Sequence, residues 1–302
     1  MPIQFSQVIN PKSRGNEGTV SVRMINLLEL GEPSSPVPYL FHSRERGRPF
    51  EPHPHAGFSA ITYVLEDSQT GIRTRDSLGN DIVMGPGGIC WTQAGSGVIH
   101  EETPADADRT LHGLQIFVNL SAKNKFKAPQ VFKLAPSEVP EWRSDAGDRV
   151  RVVVGSFEGV SSPLVPSEPF TFLDVQLRQA ISVGLHDAHS ALVYVIDGEV
   201  LIRAVGCEQK LASGHALSLR GSGGGRVTFE ASHLSHFLIL SGPEIHEPVI
   251  MDGFFMMNDQ SQIEAAKARY QAGEMGYVEP LSDLTHRHHP GAAMQAETEV
   301  RP

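Results

Sequence analysis

Residues 53–67 read HPHAGFSAITYVLED. The second half of this stretch, Ser59–Leu65, is rich in β-branched and aromatic residues, the composition of a strand. The first half sets two imidazoles, His53 and His55, two positions apart. On a strand, residues i and i+2 project from one face. A second pair with the same spacing, His100 and Glu102, stands in AGSGVIHEETP (94–104). Between the pairs, short apolar runs (Ile82–Met84, Ile89–Thr92) alternate with turn signals at Asp67–Gly71, Asp76–Asn80, Gly85–Gly88 and Gly95–Gly97. Leu114–Leu120 reads as a further strand. Strands and turns at such short intervals predict an antiparallel barrel or sandwich. No helical pattern of about 10–15 residues interrupts them, which disfavours a Rossmann-type α/β fold. His100 follows His55 by 45 positions, room for two or three strands that fold back so that first and last lie side by side. Three imidazoles and one carboxylate then meet as a nitrogen/oxygen site for a first-row divalent metal.

The chain's 302 residues allow two medium domains or one large one. A net charge of −10 disfavours direct nucleic-acid binding, which needs clustered Lys and Arg. Two cysteines, Cys90 and Cys207, make neither a disulfide framework nor a CxxC motif and suit a reducing cytoplasm. The start, MPIQFSQVINPKSRG, lacks the apolar core of a signal peptide, and no run approaches the ~20 apolar residues of a membrane span. The expectation is a cytoplasmic protein.

Residues 121–150 turn polar, Pro-rich and charged, and the reading places an inter-domain connection there. Strands resume at Val150–Val154, Phe170–Leu177, Ala191–Ile196, Glu199–Ala204 and Phe237–Ser241. A single helix is predicted over 262–270, with Asp259 or Ser261 as its cap and Gly273 as its stop. The expected domains are 1–140, with the metal, and 141–283, without it; 284–302 reads as a disordered tail. A weak repeat relates the halves. Offset by 131, Ala60–Glu66 falls on Ala191–Asp197, His55 on His186 and His53 on Gly184. Offset by 127, His100 falls on Val227 and Glu102 on Phe229. One loaded site is therefore expected, in the first half.

These residues carry a resemblance. HPHAGFSAITYVLED, RDSLGN, GPGG, WTQAGSGVIHEE and HGLQIFVNL, with EPV (247–249) and GFFMMN (253–258), resemble the pirin family of the cupin superfamily. That family's pattern runs roughly HPHRGFETVTYLLEG, HxDSxGN, PGDVQWMTAGxGIxHxE, HGLQLWVNL and EPVxxxGPFVMN. The likeness extends from about residue 20 to about 280. It implies an all-β bicupin: two antiparallel β-barrel (cupin, jelly-roll) domains with a short C-terminal helix, the first holding one metal and the second empty. It places His53, His55, His100 and Glu102 on the four ligands and makes Fe(II) the first expectation; Ni, Co, Mn and Zn suit the same donors. Departures touch the surroundings rather than the ligands. The Arg of HPHRG is Ala56, the His of HxDS falls on Thr74 or Arg73, and WMTAG is Trp91–Gly95.

Rival readings are weaker. Glu101 adjoins His100, so on a regular strand it faces away from the site. His112 could approach the site from a neighbouring strand but reads rather as a core or surface residue, Cys90 reads as a small buried apolar residue, and His186 and His189 have no carboxylate at matching spacing. His286, His288 and His289 lie in the expected tail.

The resemblance implies two functions. One is an Fe(II)-dependent dioxygenase of quercetinase type, in which a flavonol-like or enolic substrate chelates the metal through its hydroxyl and carbonyl. Glu102 would then be a ligand at rest and take the substrate proton on swinging off. The other is a non-enzymatic, iron-dependent regulator that acts through a protein partner.

Overall fold

The computed structural model describes residues 3–16, 20–47, 51–221, 223–279 and 281. The expected tail, with His286, His288 and His289, lies outside the described residues. Strands dominate and form two sandwich-like β domains, with a short C-terminal helix, the predicted fold class. Among the described residues no helix is long and apolar enough to cross a membrane.

The chain divides into one unit of Ser13–Val22, Leu40–Pro136 and Glu247–Pro302 and another of Met1–Lys12, Arg23–Tyr39 and Ser137–His246. This differs from a single linear cut near 140 at both ends of the chain. Met1–Lys12 group with the later barrel, and the segment from Glu247 onward groups with the earlier one.

The earlier unit's strands lie in a seven-stranded sheet, in the order Gln130–Leu134, Ile89–Gln93, Phe58–Val64, Leu111–Asn119, Tyr39–Glu45, Val20–Asn26, Ser13–Asn16, the division into units falling within Val20–Asn26. Its four-stranded sheet runs His53–His55, Val98–Pro104, Ile72–Asp76, Asp81–Met84. Pro54 sits in an edge strand, where a residue without an N–H is tolerated. The turn between Ile72–Asp76 and Asp81–Met84 is locked by Asp76. Its Oδ1 accepts from the backbone of Leu78 (2.9 Å) and Asn80 (3.1 Å), and its Oδ2 accepts from the Asn80 amide (2.8 Å). The strand Gln130–Leu134 falls inside the stretch read as a connection. It is an edge strand in which Val131 and Phe132 stand side by side and only Leu134 is buried, so it lacks the apolar alternation that marks a strand in sequence.

The later unit repeats the plan. Its seven strands run Gln4–Phe5, Ala216–Gly221, His189–Asp197, Ser235–Pro243, Thr171–Leu177, Arg149–Val154, Glu141–Arg143, and its four run Ala180–Leu185, Gly225–Glu230, Glu199–Ala204, Cys207–Ala212. Phe58–Val64 and His189–Asp197, the strands matched by the repeat, occupy the same place in their sheets. The later core is hydrocarbon, including Val150, Leu173, Val193, Leu217, Phe229 and Phe237.

The helix, Gln260–Gln271, is capped by Asp259, whose side chain accepts from Gln262 N at 2.9 Å. It ends at Gly273, whose φ of +76° suits the left-handed C-terminal position, with Glu274 N bonded back to Arg269 O. The helix buries Ile263 and Ala266 in a cluster that includes Ala56, Ile99, Phe255 and Met257. Within this unit the segment Phe254–Met256 clamps the residues that follow His55. Ala56 pairs with Phe255 in a parallel bridge, and Met256 N donates to Ala56 O at 3.0 Å. Gly57 has a φ of +85°, and a Cβ there would lie 1.9 Å from the Met256 carbonyl oxygen, so only glycine fits.

Lys125 completes the clamp from within the supposed connection. It is fully buried, and its ammonium donates to Gly57 O (2.9 Å), Asn119 Oδ1 (2.6 Å) and Met256 O (3.1 Å). Replacing it with methionine keeps the bulk but strands three buried acceptors. The expected loss for Lys125→Met is about 3 kcal/mol in urea unfolding. A loss below about 1 kcal/mol would show that the clamp does not depend on the ammonium.

Candidate metal centre

Three of the four residues singled out in the sequence converge. Antiparallel pairing sets His100 opposite His53 and Val98 opposite His55. The ligating atoms of His53, His55 and His100 all lie within 4.8 Å of one another. Their ring centroids are 4.6–4.8 Å apart. His55 and His100 are almost completely buried, at 2% and 1% exposure, while His53 is half-buried.

The polar atoms of this cluster fit a cation. His53 Nδ1 donates to the Glu51 carbonyl oxygen at 2.8 Å, which fixes its tautomer and leaves the Nε2 lone pair pointing inward. That Nε2 stands 3.1 Å from His100 Nε2. Two nitrogens bonded at about 2.1 Å to neighbouring positions of one ion lie roughly 3 Å apart. His55 Nδ1 and His100 Nδ1 are buried with no hydrogen-bond partner. Burial holds the His100 imidazole down to about 4. It also drives His55 well below the usual range, helped by the neighbouring His100 and His53. At neutral pH these two rings are unprotonated and their lone pairs free for a metal.

Glu102 is buried beside this cluster but is not part of the three-nitrogen group. Its Oε1 accepts from Thr62 Oγ1 at 2.6 Å. Burial raises its pKa; the Thr62 hydroxyl and nearby His53 pull the other way. Glu101 is turned away, as alternation requires, and forms an ion pair with Arg75, its cross-strand partner. A further buried carboxyl that sequence reasoning missed, Glu45, is pushed up to about 7 by burial, with Glu102 adding to the rise.

The other candidates lie elsewhere. His112 Nδ1 bonds Asp67 and its Nε2 faces His42 Nε2, each at 2.6 Å. The Cys90 thiol is pushed up by burial and then by the Glu102 and Asp76 carboxylates, so it stays protonated. The rings of His186 and His189 lie against each other, 5.2 Å between centroids and tilted by 60°. Ala56, where the family pattern has Arg, is fully buried in the helix-side cluster.

The later barrel's strand register shows what stands at the same places. Leu185 pairs with Gly225 and Val183 with Val227, as His55 pairs with Val98 and His53 with His100. Phe229 faces Ile202 as Glu102 faces Thr74. The pair Thr62 and Gln115 corresponds to Val193 and Ile239. The equivalents of His53, His55, His100 and Glu102 are thus Val183, Leu185, Val227 and Phe229. The repeat offset of 131 had matched His55 to His186; the register moves that match by one residue, which on a strand is the opposite face.

Sequence reasoning also missed Thr62, Lys125 and Phe254. A polar Thr on the inward face of SAITYVL was the one available signal for Thr62; the other two come from remote segments.

Comparison with known proteins places this geometry in a family. The model described as Pirin matches residues 18–118, and the one described as Pirin C-terminal cupin domain matches 172–276. The chain is 31% identical to Pirin of Homo sapiens over 242 residues, covering 79% of this chain and 82% of that one. Among solved structures, quercetin 2,3-dioxygenase from Acinetobacter baumannii superposes with a TM-score of 0.80 at 22% identity, covering 92% of this chain and 99% of that one. The bacterial pirin YhhW in complex with nickel(II) from Escherichia coli gives 0.62 at 17% identity, covering 80% and 100%. At these identities the two structures speak for the fold alone.

The buried imidazoles predict a pH effect on the metal-free protein. Below about pH 6.5 the unfolded chain protonates His100, whereas the folded chain resists until about 4. Stability therefore falls as pH drops through that window and levels off below it, by roughly 3 kcal/mol from this group. Urea midpoints between pH 7 and 4 should fall less steeply for His100→Gln than for the wild type. Parallel slopes would contradict this.

Proposed function

The chain belongs to the pirin family, and from its buried imidazole cluster we propose that it is an Fe(II)-dependent dioxygenase of quercetinase type, acting on a flavonol-like or enolic compound. The observation that carries this reading is the convergence of three buried imidazole rings, two of them held neutral by burial, with a carboxyl group beside them. The match of both barrels to the pirin models supports a metal-based reading of the site.

His53, His55 and His100 would hold the metal through ring nitrogens, and Glu102 through a carboxylate oxygen. A redox-active divalent ion held there would supply dioxygen chemistry and Lewis acidity toward a chelating hydroxyl. The chain's own residues do the rest. The Glu51 carbonyl orients His53. The Thr62 hydroxyl holds Glu102 Oε1. Burial makes the Glu102 carboxylate more basic when no cation holds it, so on leaving the metal it would be suited to accept the substrate hydroxyl proton at an Oε atom. Phe58 and Phe117, both buried and both against His55, keep water from that side.

Anaerobic loading with Fe(II), followed by quercetin and oxygen, is expected to consume the flavonol and release CO. Glu102→Gln should lower turnover by about 100-fold or more. Retained metal with no turnover on any first-row ion would overturn the enzymatic reading and favour a metal-dependent regulator.

A further inference from the structure

Three phenylalanine rings lie against the imidazole cluster, and they differ in exposure. Phe58 and Phe117 are buried, at 0% and 6%. Phe254 is only half-buried. Its ring centroid is 5.0 Å from that of His53 at an interplanar angle of 36°, and 5.7 Å from that of His55. The histidines divide in the same way: His55 and His100 are closed off, while His53 keeps partial exposure. Within the cluster, His53 and Phe254 are thus the partly exposed rings, and they lie against each other. A molecule that approaches over them would meet the Phe254 ring.

That ring is held in place. Ala56 N donates to Phe254 O at 3.4 Å, Met256 N donates to Ala56 O at 3.0 Å, and the Lys125 ammonium bridges Gly57 O and Met256 O. The backbone that carries Phe254 is thus tied to the residues directly after His55. An aromatic wall fixed in this way loses little freedom when a ligand packs on it. The pirin pattern GPFVMN has proline at this position, so the ring is a property of this chain.

Resting on the reading of the site as one that takes a chelating organic substrate, we propose that Phe254 is a specificity-determining residue. Its ring packs against the ring system of a planar aromatic enol or ketol and favours it over a ring-free chelator of the same donor chemistry. Offset stacking together with the apolar area it covers accounts for about a tenfold preference.

The test uses full-length protein loaded with Zn(II), which has no redox chemistry, so equilibrium binding is read without turnover. The probes are quercetin and acetylacetone, a ring-free enolic chelator. Phe254→Leu keeps an apolar side chain and removes the ring; Phe254→Tyr keeps the ring. Metal content and thermal midpoint are measured on each variant. The expected result is a quercetin Kd about tenfold weaker for Phe254→Leu, near wild type for Phe254→Tyr, and an acetylacetone Kd within about twofold throughout. The proposal is overturned if Phe254→Leu binds quercetin as tightly as the wild type. It is also overturned if both probes weaken equally, or if the wild type binds acetylacetone but not quercetin. Wild type that binds zinc but neither probe sinks the chelating-substrate reading along with it. Quercetin bound in the expected order but never turned over by the iron form leaves Phe254's role standing and removes only the oxygenase reading.

Discussion

Three imidazoles share a space too dry to protonate at least two of them, and the organisation of the earlier barrel follows from that constraint. Burial holds the His55 and His100 rings neutral, and His53 and His100 stand Nε2 to Nε2 at 3.1 Å, an arrangement whose inward lone pairs a cation would satisfy. The later barrel shows the alternative: with the same strand plan it places Val183, Leu185, Val227 and Phe229 at those positions. Burying a large apolar side chain there stabilises the fold by about 1.5–3 kcal/mol. One barrel fills these positions with hydrocarbon, and the other with three imidazoles and a carboxyl group.

Strand alternation then sorts the acids. Glu101 and Glu102 are neighbours in sequence, yet one reaches Arg75 and the other Thr62. Glu101 ends in an ion pair with an arginine, whereas Glu102 accepts from the Thr62 hydroxyl and the Gln115 side chain, and burial raises its pKa. One residue along a strand separates the acid paired with a cation from the acid beside the imidazoles.

The same alternation explains what was legible. His53, His55 and His100 could be grouped because period two on a strand is a local rule, and the turns between them are written in Gly, Pro, Asn and Asp. The helix could be placed because its cap and its glycine stop are local too. Lys125 could not: a lysine in a polar stretch is ordinarily solvated, and only the tertiary arrangement brings Gly57 O and Met256 O to it. Phe254 lies some 200 residues from His53 in sequence and acts through proximity alone. The match of His55 to His186 went astray by one residue because a repeat with different offsets in its parts leaves register open, whereas a hydrogen-bonded ladder does not.

Whether one cation sits among these three rings is read from crystals of the Fe(II)-loaded protein measured at the iron absorption edge. A single anomalous peak per chain is expected, about 2.0–2.2 Å from one ring nitrogen each of His53, His55 and His100. A peak elsewhere, or none in protein that retains iron in solution, would contradict it.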